Sequence, residues 1–147
     1  MKFDKLKVCL DRIKGQRVVY SRSGGGAGSI LLINFINEDA LWFWRYWEVI
    51  HNDVVIGCSN DDITPVIGKV AVAALQLEER KVLDVILYED LSLRIFFDNH
   101  YELIIVTTIE TRPEFIDLVN WEYCSPELDV CYTITSQNEV ITSKYEE

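Results

Sequence analysis

Three strand-length apolar runs, separated by only two or three residues, constrain this chain more than any other feature. Residues 82–88, 91–97 and 101–107 are divided by Glu89-Asp90 and by Asp98-Asn99-His100. Connections this short join antiparallel neighbours, because a parallel crossover needs a dozen residues or more. In the middle run Leu91, Leu93, Ile95 and Phe97 alternate with Ser92, Arg94 and Phe96. That alternation predicts one buried face and one partly wet face.

The rest of the chain is read against this meander. Phe3, Leu6, Leu10 and Ile13 recur at helical spacing, and Gly15 stands where such a helix stops. Residues 17–20 read as a strand, and 21–29, with Gly24-Gly25-Gly26-Ala27-Gly28, as a flexible loop. Residues 30–36 suit a strand covered on both faces, and the aromatic run 41–50 one further strand. Residues 54–58 return from the turn His51-Asn52-Asp53. Thr64-Pro65 looks like a helix start, with Thr64 as N-cap and Pro65 in the first turn. From there Val66, Val70, Ala73, Ala74 and Leu77 continue a helical stripe. Residues 110–118 have room for a helical turn at Pro113; 119–124, 130–135 and 139–143 read as short strands, and 145–147 should fray. The expected architecture is α+β, in one domain spanning 1–147. It is mainly antiparallel sheet, in a meander and hairpins, with an N-terminal helix and one central helix.

The formal net charge is −10. Residues 1–23 hold seven Lys/Arg against two Asp/Glu, whereas 51–147 hold six against nineteen, so the acidity lies in the later two-thirds. A negative field disfavours nucleic acid and anionic lipid, both polyanions, and favours a basic protein partner. No apolar run reaches bilayer length and no export-type apolar region opens the chain, so a cytoplasmic protein is expected. There Cys9, Cys58, Cys124 and Cys131 would be reduced and act as small hydrophobes. A Cys124–Cys131 bridge is open in principle, but spacing alone does not establish it.

No motif for catalysis, metal or nucleotide binding stands out. Residues 24–28 invite a phosphate-loop reading, but they lead into a strand-like run and no Gly-Lys-Ser/Thr follows. Arg17 and Arg22 beside that loop keep open the alternative of a small anion- or nucleotide-binding domain, or an enzyme, built on residues 24–28. His51 and His100 both fall in turns, without zinc-type spacing. The acidic pairs Asp61-Asp62, Glu78-Glu79 and Glu89-Asp90 are ordinarily surface charge, yet rim carboxylates also steer a basic partner. Trp42, Trp44, Trp47 and Trp121 are ordinarily core. If one face of the 41–50 strand is left uncovered, however, Trp42 and Trp44 become interface anchors.

One order of features carries a resemblance. Lys81-Val82-Leu83-Asp84-Val85-Ile86-Leu87 leads to Leu91-Ser92-Leu93-Arg94-Ile95-Phe96-Phe97-Asp98-Asn99, then to Tyr101-Glu102-Leu103-Ile104-Ile105-Val106. Asn120-Trp121-Glu122-Tyr123 and a terminal hairpin follow, after an earlier Trp47-Glu48-Val49 strand and a Ser59-Asn60-Asp61-Asp62 loop. Over about 41–135 this resembles the small bacterial immunity proteins of polymorphic and contact-dependent toxin systems. The resemblance implies a cytosolic, non-enzymatic inhibitor, without cofactor, that blocks a cognate toxin domain, often a basic nuclease. It transfers no individual site residue. The expected partner-binding residues are therefore Asp61, Asp62, Glu78, Glu79, Glu89 and Asp90, with Trp42 and Trp44 as anchors. A self-associating module is the further alternative.

Overall fold

A computed structural model describes residues 2–145. The chain begins with helix α1 (Lys2–Leu10), which tightens into a 3₁₀ turn over Asp11–Ile13. Then come β1 (Val18–Arg22), β2 (Leu31–Phe35), β3 (Ala40–Phe43), β4 (Trp47–His51) and β5 (Val54–Cys58). Helix α2 (Lys69–Leu75) leads to β6 (Val82–Leu87), β7 (Leu93–Phe97) and β8 (Tyr101–Ile105). The chain closes with β9 (Val119–Ser125), β10 (Val130–Thr135) and β11 (Val140–Ser143). Two antiparallel sheets result, ordered β1-β2-β3-β9-β10-β11 and β5-β4-β8-β7-β6. The meander is the β6-β7-β8 part of the second, and the whole is the expected sheet-dominated α+β fold.

Alternation decides which residues fill the core. Leu31, Ile33, Phe35, Leu41, Phe43, Trp121, Tyr123, Tyr132 and Ile134 point inward from the six-stranded sheet. Trp47, Val49, Val85, Leu87, Leu93, Ile95, Phe97, Leu103 and Ile105 do so from the five-stranded one, and all belong to one buried cluster. Helix α1 adds Leu6 and Leu10, and the adjoining turn adds Ile13. Helix α2 lies on β5, where Gly57 is required: a Cβ there would come within 2.5 Å of the Ala73 Cβ and 3.0 Å of the Lys69 carbonyl.

Three expectations need correction. The run 41–50 is not one strand. It breaks at Trp44, Arg45 and Tyr46, where the chain leaves one sheet for the other, so that Phe43 and Trp47 can both reach the core. Helix α2 starts at Lys69 rather than at Pro65. Thr64 does not cap it: Gly68 holds the N-cap position, and the Thr64 N–H and hydroxyl both donate to one Asp62 oxygen, at 3.0 and 2.7 Å. Val66 then adopts a φ of 68°, costly for a β-branched residue, and is 82% exposed rather than core. The segment 30–36 buries only one face, since Leu32 and Asn34 point away from the core. Of the expected fraying over 145–147, Glu146 and Glu147 lie outside the described residues, while Tyr145 lines a cleft on the six-stranded sheet.

The start of the chain is locked to the sheet by a buried carboxylate. Asp39 follows β2, fully enclosed, and accepts a hydrogen bond from the Tyr123 hydroxyl and another from Arg12 Nε at 3.3 Å. The Tyr123 hydroxyl also lies 3.1 Å from the Cys9 carbonyl at the end of α1. Burial, reinforced by Asp39, raises the Tyr123 pKa far above the ordinary phenol range, so this hydroxyl stays a donor. A second anchor holds the long β8–β9 connection. Glu110, with its side chain enclosed, accepts from Arg112 Nε at 2.9 Å, Nη2 at 3.0 Å and the backbone N–H at 3.0 Å, and from Arg45 at 3.3 Å. Those bonds, led by the Arg112 side chain, lower the Glu110 pKa from 4.5 to about 2.

Two outcomes follow. Asp39→Ala should destabilise the fold by about 2–3 kcal/mol, since charge-assisted hydrogen bonds disappear and Tyr123 loses one partner. Urea unfolding measures the loss, and faster amide exchange in α1 locates it. Because Glu110 is depressed in the folded state, its contribution is complete above its ordinary pKa of 4.5 and fades as pH falls toward 2. The stability gap between the wild type and Glu110→Gln, measured by urea titration at several pH values, should therefore narrow across that window.

Candidate functional site

With the inner faces committed to the core, the register of the six-stranded sheet fixes what its outer face displays. One cross-strand row runs Asn34, Ala40, Cys124, Cys131, Ser143, with Tyr20 of β1 paired to Asn34 at its end. The neighbouring row runs Arg22, Leu32, Trp42, Glu122, Thr133, Ile141. Small side chains beside large ones make a shallow groove with a ridge along it. Strands lie about 4.8 Å apart, so a row of five spans about 19 Å.

The ridge is aromatic at its centre. Trp42 stacks with Trp44, ring centroids 6.0 Å apart and planes 19° apart. Trp44 is 40% exposed just where the chain turns away toward the second sheet. Tyr20, on β1, is exposed and lies 5.1 Å under the Arg22 guanidinium. Two clefts meet at Leu32 and Trp42. One, of about 400 Å³, is bounded by Tyr20, Arg22 and Ile30, and the other, of about 270 Å³, by Ala40, Glu38, Tyr145 and the Cys124–Cys131 pair. These rings are those whose exposure depended on an uncovered strand face, and neither helix covers that face: α2 packs on β5 and the edge strand β1.

The five-stranded sheet also has an outer face, with a larger cleft of about 520 Å³ beside Leu83, Phe96, Glu102 and the two turns at Asn52-Asp53 and Asn99-His100. Its charged centre is already matched from within. Arg94 lies 4.9 Å over the Phe96 ring and donates to Glu102 at 2.7 Å. A partner there would have to displace that pair, whereas the Trp42 ridge offers unmatched rings. Size alone therefore does not choose the site.

The six expected carboxylates do not form one patch. Glu78 pairs with Arg22 and Glu79 with Arg17, at 3.3 Å for the latter. Asp61 accepts the Cys58 N–H at 2.8 Å, Asp62 is bound by Thr64, and Asp90 accepts the Ser92 N–H at 2.9 Å. Hydrogen bonds from Thr64 lower the Asp62 pKa. Glu89 sits exposed in the same turn as Asp90. The three pairs thus occupy three separate turns, five of the six tying down the local chain or one of its arginines.

The glycine loop is docked rather than open. Gly25 N–H donates to the Ile63 carbonyl at 2.7 Å, and a Cβ on Gly24 would lie 3.3 Å from Ala71 Cβ. The loop leads into β2, and Arg17 and Arg22 turn to Glu79 and Glu78. His51 stacks on Tyr101 at 3.9 Å, and His100 occupies the left-handed region at φ 62°. Among the described residues no three His, Cys, Asp or Glu side chains are grouped to hold a metal ion. Cys124 and Cys131 face each other across β9 and β10 as a disulfide, with Cα atoms 4.1 Å apart, while Cys9 and Cys58 carry free thiols. Four reduced cysteines were expected, so this pair departs from the sequence reading. Compared with protein-family models, with curated proteins and with solved structures, the chain has no match.

Among the four tryptophans, Trp47 and Trp121 are fully enclosed. Acrylamide should therefore quench only part of the intrinsic fluorescence. Trp42→Phe and Trp44→Phe should each reduce the quenchable part while shifting stability by less than about 1 kcal/mol, as expected of side chains outside the core.

Proposed function

We propose that the protein is an immunity-type inhibitor. It binds a cognate toxin domain stoichiometrically, without turnover, in the cytoplasm of the producing cell, and its docking surface is the outer face of the six-stranded sheet. The observation that carries this reading is the Trp42–Trp44 stack on a sheet face that no helix covers. Large rings with one face in solvent lose little conformational entropy on binding and bury much area, which is why Trp and Tyr dominate interface energetics. The resemblance over about 41–135 points to the same class of activity.

Charge has a separate part in this reading. The net −10 acts at a distance and speeds the approach of a basic toxin domain, such as a nuclease. Glu78 and Glu79, already paired with arginines, contribute to that field but little to a local contact. Asp61, Asp62, Glu89 and Asp90 steer from the periphery, and Trp42 and Trp44 anchor.

The test expresses the protein domains encoded beside this gene and follows their binding by surface plasmon resonance; binding by none of them rejects the immunity reading. Trp42→Ala should weaken affinity at least 30-fold, about 2 kcal/mol, mainly through faster dissociation. Asp61→Lys/Asp62→Lys should instead slow association and flatten its salt dependence. An unchanged dissociation rate for Trp42→Ala, with the fold intact by circular dichroism, removes this face from the interface. Loss of a dimer on sedimentation of Trp42→Ala, with no toxin binding by the wild type, would assign the face to self-association instead.

A further inference from the structure

We propose that the Cys124–Cys131 pair is a thiol–disulfide exchange site, with a dithiol as co-reactant, whose redox state resets the Trp42 cleft. The exchange chemistry stands on the position of the pair alone. Its consequence for binding rests on the reading of this groove as the docking face.

The two cysteines are direct cross-strand partners, in the middle of the outer groove and away from the core. Their neighbours along the row are Ala40 on one side and Ser143 on the other, so no large side chain shields the sulfurs. Both cysteines are half-buried and line a cleft that also contains Leu32, Trp42 and Tyr145. The bridge does little for the fold. It closes a hairpin with a sequence separation of 7, whose strands are paired from Val130–Ser125 to Thr135–Val119 without it. Closing so short a loop removes less entropy from the unfolded state than closing a long one, so the strand pairing and the core carry most of the stability. A reachable bridge that the sheet does not need can open and close with the protein folded.

The reaction balances with the dithiol alone. One thiolate of the dithiol attacks either cysteine sulfur, and the Cys124–Cys131 bond breaks as a mixed disulfide forms. The displaced sulfur leaves as a thiolate and takes a proton. The second thiol of the dithiol then attacks the mixed disulfide, closes its own ring and releases the second cysteine as a thiol. Two electrons and two protons pass to the pair. The sulfurs move from bonding to van der Waals separation, and the cleft they share with Trp42 changes shape. In a reducing cytoplasm the groove holds two thiols, and oxidation closes it into the bridged form.

The experiment takes the full chain equilibrated with oxidised glutathione, adds dithiothreitol without denaturant, alkylates with iodoacetamide and maps the product by mass spectrometry. Two additional labels, on Cys124 and Cys131, are expected, together with an unchanged far-ultraviolet circular dichroism spectrum and a cooperative melt. Intrinsic fluorescence should change on reduction, and Trp42→Phe should abolish that change. The double variant Cys124→Ser/Cys131→Ser should fold and melt within a few degrees of the reduced wild type. A pair that never bridges under glutathione, a bridge that opens only in denaturant, or a double variant that fails to fold overturns the exchange site. Fluorescence indifferent to reduction overturns the link to the cleft. None of these readouts uses a toxin, so failure here is separate from failure of the docking reading.

Discussion

Two indole N–H groups hold the sheets in register with one another. Trp47, on β4 of the five-stranded sheet, donates at 2.7 Å to the Ser29 carbonyl, just ahead of β2 in the other sheet. Trp121, on β9 of the six-stranded sheet, donates at 2.9 Å to the Leu91 carbonyl, just ahead of β7 in the five-stranded one. Each sheet thus lends the other a large ring, and each ring finds its one polar partner across the divide. A buried indole without that partner would cost about 1–3 kcal/mol. The two bonds therefore act as selectors of geometry: only an arrangement that puts both carbonyls in reach buries both rings without penalty. At the β1–β6 side the backbone itself completes the closure, with Val18 N–H donating to the Arg80 carbonyl at 2.8 Å and Val82 N–H to Gln16 at 2.9 Å.

From that closure comes the exposed surface. Among the described residues, two short helices cannot cover the four faces of two sheets. The two inner faces take each other as cover, α1 and α2 are spent at the periphery of the core, and both outer faces meet solvent. What then distinguishes them is side-chain order along the rows. On the five-stranded sheet an arginine and a glutamate alternate with apolar residues and satisfy each other. On the six-stranded sheet the small and large residues segregate into a groove and a ridge, and the tryptophans stand without a polar match.

Much of this architecture was legible in the sequence, for local reasons. The β6-β7-β8 meander rests on short turns and period-two alternation, both contained within 26 residues of chain, and α1 rests on a helical stripe ended by Gly15. The misread elements are those where local signals compete with a distant demand. Residues 41–50 have strand propensity throughout, but the need to place Phe43 and Trp47 in one core from two sheets breaks the run between them. Thr64-Pro65 has the composition of a helix start, but Asp62 captures the threonine first, and Gly68 fits where its neighbours' carbonyls leave no room for a Cβ. At the candidate site the two tryptophans were legible as conditional anchors. The groove beside them was not, because it depends on the pairing of β3 with β9, residues about 80 apart in sequence, and no local pattern announces which strands become neighbours. The same pairing brings Ala40 beside Cys124 and leaves the disulfide half-buried in the outer cleft.

The carboxylates show why composition and contact carry different information. Net charge is a sum, and pairing Glu78 with Arg22 or Glu79 with Arg17 leaves it at −10. At separations up to about a Debye length, roughly 8–10 Å and beyond which salt screens the field, an approaching molecule responds mainly to that sum and to its coarse asymmetry along the chain. At contact it responds to what each group is free to do, and a carboxylate already closing a turn or holding an arginine contributes about 0–1 kcal/mol when exposed. Acidic sequence therefore argues for the sign of a partner and the speed of its approach. It does not argue for the place of contact, which the proposed reading puts on rings whose desolvation is still to come. On the proposed reading, steering and anchoring fall on different residues in this fold: the carboxylates in its turns and the aromatic ridge of its uncovered sheet.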